Sequence, residues 1–139
     1  MATCFFHNAD FAQRDQKLFE IVEAAYQQHD KILIFSDSRE RAVIIDRFLW
    51  SLKQDSFIPH KIFSDPGPEE NVPVGIVIQE INPIGASILI ADGHCGFDFA
   101  AAFKTVHEFV DRSTPERHEA CRRRFKAYRD MQFAVEYLK

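Results

Sequence analysis

Three short, nearly unbroken apolar runs limit most strongly what this chain can fold into: residues 31–35 (KILIF), 74–78 (VGIVI) and 87–90 (SILI). A strand with one wet face alternates apolar and polar residues, whereas a strand covered on both faces has no reason to alternate. Strands of the second kind belong to a parallel sheet with helices on either side. The intervening sequence supplies those helices. Between Asp15 and Gln28, the positions Leu18, Ile21, Val22 and Ala25 recur at i, i+3, i+4 and i+7, one face of a helix. Ser36, Asp37 and Ser38 offer capping oxygens to a second helix, from Arg39 to about Lys53, with Ala42, Ile45, Phe48, Leu49 and Leu52 as its apolar stripe.

The remaining elements follow from local signals. Thr3–His7 (TCFFH) reads as an opening strand. Residues 55–73 hold Pro59, Pro66, Gly67, Pro68 and Pro73 and read as a long loop with an extended piece at His60–Phe63. After the Asp92-Gly93 turn come a short helix over residues 97–103 and a strand over 104–110, in which Val106, Glu108 and Val110 share one face. Ser113-Thr114-Pro115-Glu116 combines a hydroxyl cap, a first-turn proline and an acid, and starts a last helix running to about Met131. The expected fold is α/β: one three-layer domain spanning residues 1–139, with a mixed, mostly parallel sheet flanked by helices, Rossmann-like in its layering. A chain of 139 residues can bury a sufficient core without disulfides or structural metal.

Several function classes lose support. No run reaches the roughly 18 apolar residues of a membrane span. The opening residues have neither a basic start nor a long apolar stretch, so no secretory signal is expected. Three scattered cysteines, Cys4, Cys95 and Cys121, suit a reducing compartment, and the expected location is the cytoplasm. No glycine begins a G-x-x-x-x-G-K-[ST] or G-x-G-x-x-G loop, so no nucleotide site is expected on this fold. His94-Cys95, near Asp92 and Asp98, lacks metal-ligand spacing, so no metal or other cofactor is expected. Cys4 with His7, and Cys95 with His94, make no nucleophile–base arrangement, so no catalytic residue is assigned.

The charge distribution is informative. The chain has net charge −4, but residues 112–139 carry eight basic and four acidic side chains, which makes that segment +4 and the other 111 residues −8. Broad nucleic-acid binding favours a basic body, and this body is acidic. The last helix contains Cys121-Arg122-Arg123-Arg124-Phe125-Lys126-Ala127-Tyr128-Arg129. Two readings fit it. One is a core stripe of Cys121, Phe125 and Tyr128 with a solvated basic face. The other is a surface for a peptide that carries both carboxylates and an apolar anchor. A second aromatic group, Phe48-Leu49-Trp50 with Ser56-Phe57-Ile58-Pro59-His60, reads either as a small core under a loop or as an interface anchor.

Three stretches carry a family resemblance: Arg-Phe-Lys-Ala-Tyr-Arg at 124–129, Ser-Phe-Ile-Pro-His at 56–60 after Phe-Leu-Trp at 48–50, and Phe-Asp-Phe-Ala-Ala-Ala-Phe at 97–103 leading into Glu108-Phe109-Val110. Together with the element order, they resemble the chi-subunit family of bacterial DNA polymerase III over nearly the whole chain. The resemblance implies a non-catalytic adaptor. It pairs with the psi subunit of the clamp loader and binds the acidic, Phe-terminated tail of single-stranded-DNA-binding protein, meeting DNA only indirectly. Carried over by position, the tail contacts are Val110, Arg122, Arg124, Phe125, Lys126 and Arg129, with Arg117 or His118 as a basic neighbour. The patch for psi, and for a repair helicase, corresponds to Trp50, Phe57, Pro59 and His60. Phe125 departs from the usual Tyr of the family, so a hydroxyl contact is lost there. Outside this resemblance stand two alternatives: an enzyme on a nucleotide-binding-like fold, and direct nucleic-acid binding through the arginine helix.

Overall fold

The computed structural model describes residues 2–51 and 58–138. They form β1 (Thr3–His7), α1 (Phe11–Gln27), β2 (Ile32–Phe35), α2 (Arg39–Ser51), β3 (His60–Phe63), β4 (Val74–Val77), β5 (Ile88–Ala91), α3 (Phe97–Ala100), β6 (Thr105–Phe109), α4 (Pro115–Asp130) and β7 (Ala134–Leu138). The strands make a seven-stranded sheet in the order β3-β4-β2-β5-β6-β1-β7. The two outermost positions belong to β3 and β7.

The expected three-layer α/β architecture is present, with one correction: all the pairings run parallel, and the sheet is not mixed. The reason lies in residues 78–87. No helix lies between β4 and β5, and Asn82-Pro83 divides the two strands. Yet β2 lies between the two strands, and the connection crosses the sheet with Ile84 buried in the core. Asn82 fixes it by accepting from Ala86 N–H at 2.9 Å and donating to Ala86 C=O at 3.0 Å.

β2, β4 and β5 sit at or near the centre of the sheet, and their side chains are buried on both faces, as their uninterrupted apolar sequences require. On one face, Leu18, Phe19, Val22 and Ala25 of α1 and Ala42, Ile45 and Leu49 of α2 pack on Ile32, Ile34, Ile76 and Ile90. On the other, Ala100 of α3, Phe103 and Tyr128 of α4 pack on Cys4, Phe6, Leu33, Leu89 and Val106.

Helix ends place the strands that follow. α4 starts as its sequence indicates, with Thr114 Oγ1 accepting from Arg117 N–H at 3.1 Å and Pro115 in the first turn. α1 starts at Phe11, earlier than the apolar period suggests, because Asp10 caps it by accepting from Gln13 N–H. Both helices end in a left-handed residue that is not glycine: His29 at φ 61° and Gln132 at φ 69°. In α4, Phe133 N–H reaches Tyr128 C=O at 3.1 Å and Gln132 N–H reaches Arg129 C=O at 3.0 Å. The Phe133 ring meets Tyr128 edge-on at 5.2 Å, which completes a Schellman closure. That closure turns the chain back into β7, a strand absent from the sequence-based expectation.

Where ligands often enter such sheets, at the carboxyl ends of β2 and β5, side chains fill the crevice. Asp92, 8% exposed, accepts from Arg41 Nε at 2.9 Å and Arg14 Nε at 3.2 Å, and Arg41 also pairs with Asp15. A Cβ on Gly93 would lie 2.7 Å from Asp37 N, so only glycine lets the two turns approach this closely.

Candidate functional site

α4 presents two unlike faces. Cys121, Arg124 and Tyr128 point into the core, while Arg122, Arg123, Lys126 and Arg129 are exposed and Phe125 is half-buried between the two sets. Beside Phe125 a groove of about 320 Å³ opens between α4, the end of β6 and β7. It is lined by Phe6, Val110, Arg112, His118, Cys121, Arg122, Phe125, Lys126, Arg129 and Tyr137. The Phe6 and Phe125 rings lie 5.2 Å apart and make an aromatic floor. Cys121 ties the helix to the sheet: its Sγ–H donates to Phe109 C=O, and its Sγ accepts from Asp111 N–H at 3.3 Å. Burial raises the pKa of this thiol, which remains protonated.

The electrostatics of the groove are one-sided. No Asp or Glu lines it, and Arg112, Arg122, Lys126 and Arg129 have no carboxylate partner among the described residues. Among the described residues, no acidic side chain belongs to this lining, although the chain as a whole carries 21 of them. The arrangement can seat one apolar group on the aromatic floor and hold carboxylates at the rim.

Of the residues assigned from sequence, Val110, His118, Arg122, Phe125, Lys126 and Arg129 are brought together in this groove. Arg117 lines the neighbouring crevice, where its Nη1 lies 3.4 Å from Asp111 Oδ2. Arg124 requires a correction. It is 8% exposed and turned inward, so the structure offers it no contact with a ligand in the groove. Its Nε and Nη2 donate to Glu108 at 3.0 and 2.6 Å, its Nη1 donates to Cys95 C=O, and its guanidinium lies 4.7 Å from the centre of the Phe97 ring. Tyr128 Oη donates to Glu108 Oε2 at 2.6 Å. Burial opposes the charge on Arg124, but the Glu108 carboxylate more than offsets it and the pKa rises. Glu108, 1% exposed, demands such a partner. The signal was in the sequence: an acid sharing a strand face with Val106 needs a buried cation. Two further residues complete the groove: Arg112, from the connection between β6 and α4, and Tyr137, from β7, a strand that no local sequence signal marks.

The second patch lies at the β3 edge. Trp50 is 55% exposed, and its ring stands 4.9 Å from that of His60. His60 Nδ1 donates to Ile58 C=O at 2.8 Å, and its Nε2 lies 3.2 Å from Asp46 Oδ1. Pro59 is half-buried beside the buried Ile58. Phe57 lies outside the described residues. Five strand spacings, about 24 Å, separate β3 from β1 in the sheet, with the Trp50 patch at the β3 edge and the groove at the β1–β7 end.

Elsewhere, His94 is exposed while Cys95 is buried, its thiol pKa pushed up to about 11 chiefly by burial. Among the described residues, no group of three His, Cys, Asp or Glu side chains could hold a metal ion, and no helix is long and apolar enough to cross a membrane.

A family model described as DNA polymerase III chi subunit, HolC, matches residues 1–136. DNA polymerase III subunit chi of Escherichia coli (strain K12) is 32% identical over 116 residues, covering 83% of this chain and 78% of that protein. Among solved structures, the C-terminal domain of the DEAD-box protein Dbp5 superposes with a TM-score of 0.64 at 12% identity, covering 99% of this chain and 90% of that one. That last likeness concerns the fold alone.

Proposed function

The chain belongs to the DNA polymerase III chi subunit family, and from that membership we propose that it works as a non-catalytic adaptor of the replicative holoenzyme. One surface joins it to the clamp loader through the psi subunit, and the other captures the acidic C-terminal tail of single-stranded-DNA-binding protein. The observation that carries this reading is the groove beside α4, where four cations without carboxylate partners among the described residues surround the Phe6–Phe125 floor. An acidic peptide ending in an aromatic residue satisfies both features. Seating the ring contributes about 1.5–3 kcal/mol, and each exposed ion pair about 0–1 kcal/mol. The ring therefore dominates affinity, and the charges set orientation and encounter rate.

The Trp50 patch supports the psi contact, with a repair helicase as a competing occupant. Its distance across the sheet leaves both partners free to bind at once. The test is calorimetric titration of the chain with an acidic peptide ending in Phe and with the same peptide lacking that Phe. Removal of the terminal residue is expected to cost at least tenfold in affinity. Equal binding of both peptides, accompanied by tight and steeply salt-dependent binding of a bare single-stranded oligonucleotide, would make this a nucleic-acid-binding helix instead.

A further inference from the structure

Arg112 and Tyr137 build the wall of the groove that α4 does not. Arg112 comes from the connection between β6 and α4, and Tyr137 from β7, where it is registered beside Phe6 of the aromatic floor. Arg112 Nη2 donates to Tyr137 Oη at 2.6 Å. Of the four cations around the groove, Arg112 is the one outside α4, and the one whose side chain is held by a hydrogen bond among the described residues. Tyr137 is 40% exposed, open enough to meet a ligand in the groove. Because Tyr137 Oη accepts from Arg112, its own proton is free for another acceptor, as are the remaining N–H groups of Arg112. The acids adjacent in sequence do not fill that role. Asp111 is engaged by Ser113 and Arg117, and Glu136 lies on the opposite face of β7.

We propose that Arg112 and Tyr137 form a subsite for a single carboxylate of the peptide ligand, the one nearest the ring seated on Phe6 and Phe125. That carboxylate is gripped from the β7 side by a guanidinium and a hydroxyl, while the α4 cations face the other acids of the peptide. Tyr137 fixes the guanidinium beforehand, so less side-chain freedom is lost on binding than for the unrestrained arginines of the helix. This inference rests on the groove being the peptide site.

The experiment is a calorimetric matrix using the full chain. Wild type, Arg112→Ala, Tyr137→Phe and Arg122→Ala are each titrated with a Phe-terminated acidic peptide, its C-terminal amide, and versions with each Asp changed singly to Asn. In wild type, one neutralisation near the ring is expected to cost about tenfold. Arg112→Ala should lose a similar factor toward the unmodified peptide and show no further loss for that one neutralised peptide. Tyr137→Phe should follow the same pattern more weakly, and Arg122→Ala should keep the full penalty. Unchanged penalties for every peptide in Arg112→Ala, or wild-type affinity in that variant, would overturn the subsite while leaving the peptide reading intact. A wild-type chain indifferent to loss of the terminal ring would overturn the peptide reading, and the subsite with it.

Discussion

Arg124 and Glu108 form a buried ion pair, joined at 3.0 and 2.6 Å, one residue along α4 from the groove-lining Phe125. The pair divides the arginine cluster of this helix by function: Arg124 secures α4 to β6, and Arg122, Lys126 and Arg129 face outward.

Arg124→Ala is therefore expected to act on stability. It removes the counter-charge of the buried Glu108, which keeps only the hydrogen bond from Tyr128 among the described residues, a loss of about 3–5 kcal/mol. Urea denaturation should show a marked fall in midpoint. Replacing both partners by apolar residues, Arg124→Met with Glu108→Leu, should recover most of the loss, because neither charge then needs solvation. Peptide affinity of the refolded double variant should stay close to wild type. An Arg124→Ala protein that unfolds at the wild-type midpoint would refute the structural role.

What the sequence disclosed follows the strength of its local signals. β2, β4 and β5 were readable because strands covered on both faces cannot afford polar residues, and α4 because Thr114 and Pro115 mark its start. β7 left no such mark. Its residues are half-buried or exposed on the edge of the sheet, and the turn before it uses Gln132 where a glycine would have been recognisable. The same gap hid Tyr137, and with it the second wall of the groove. Nothing in the run Arg122-Arg123-Arg124 marks one arginine as buried, and a carry-over by position treats all of them alike; only the buried acid opposite, Glu108, sets Arg124 apart.

His7 and His107 give the fold an acid limit. Their rings stack at 5.1 Å, and His7 Nε2 lies 2.9 Å from His107 Nδ1, a contact with room for one proton between them. Burial first, and then neighbouring positive charge, lowers their pKa values to about 4 and about 3. Between those values and the unfolded value near 6.5, the unfolded chain binds more protons, so stability falls as pH drops. The melting temperature should be flat above about pH 7 and should decline from about 6.5 downward, before most carboxylates titrate. His107→Phe should flatten the slope between pH 6.5 and 5. An identical slope in that variant would assign the acid sensitivity elsewhere.

Trp50→Ala should separate the two surfaces. Trp50 is mostly exposed at the end of α2, so the variant should keep its melting temperature within a few degrees. Co-purification with psi should be lost, since a truncated aromatic anchor costs about 2 kcal/mol or more. Peptide affinity should not change, because the groove lies across the sheet. Normal psi binding by a folded Trp50→Ala protein would remove this patch from the partner interface.

Lys126 and Arg129 test how the groove divides its work between charge and ring. Both line the groove from the exposed side of α4 and have no ion-pair partner among the described residues, so their removal leaves no buried charge behind. Each exposed contact contributes about 0–1 kcal/mol. Lys126→Ala or Arg129→Ala should thus weaken peptide binding by up to about fivefold, and the double variant by roughly the product of the two. Ionic strength acts on the same component: raising salt from 0.05 to 0.5 M (a range chosen to take the Debye length from about 14 to about 4 Å) should lower wild-type affinity moderately and the double variant's less. The part that survives high salt should vanish with the terminal Phe of the peptide, because seating a ring on Phe6 and Phe125 is not screened. Calorimetry that finds the double variant as salt-sensitive as wild type would place the charge contribution on residues other than these two.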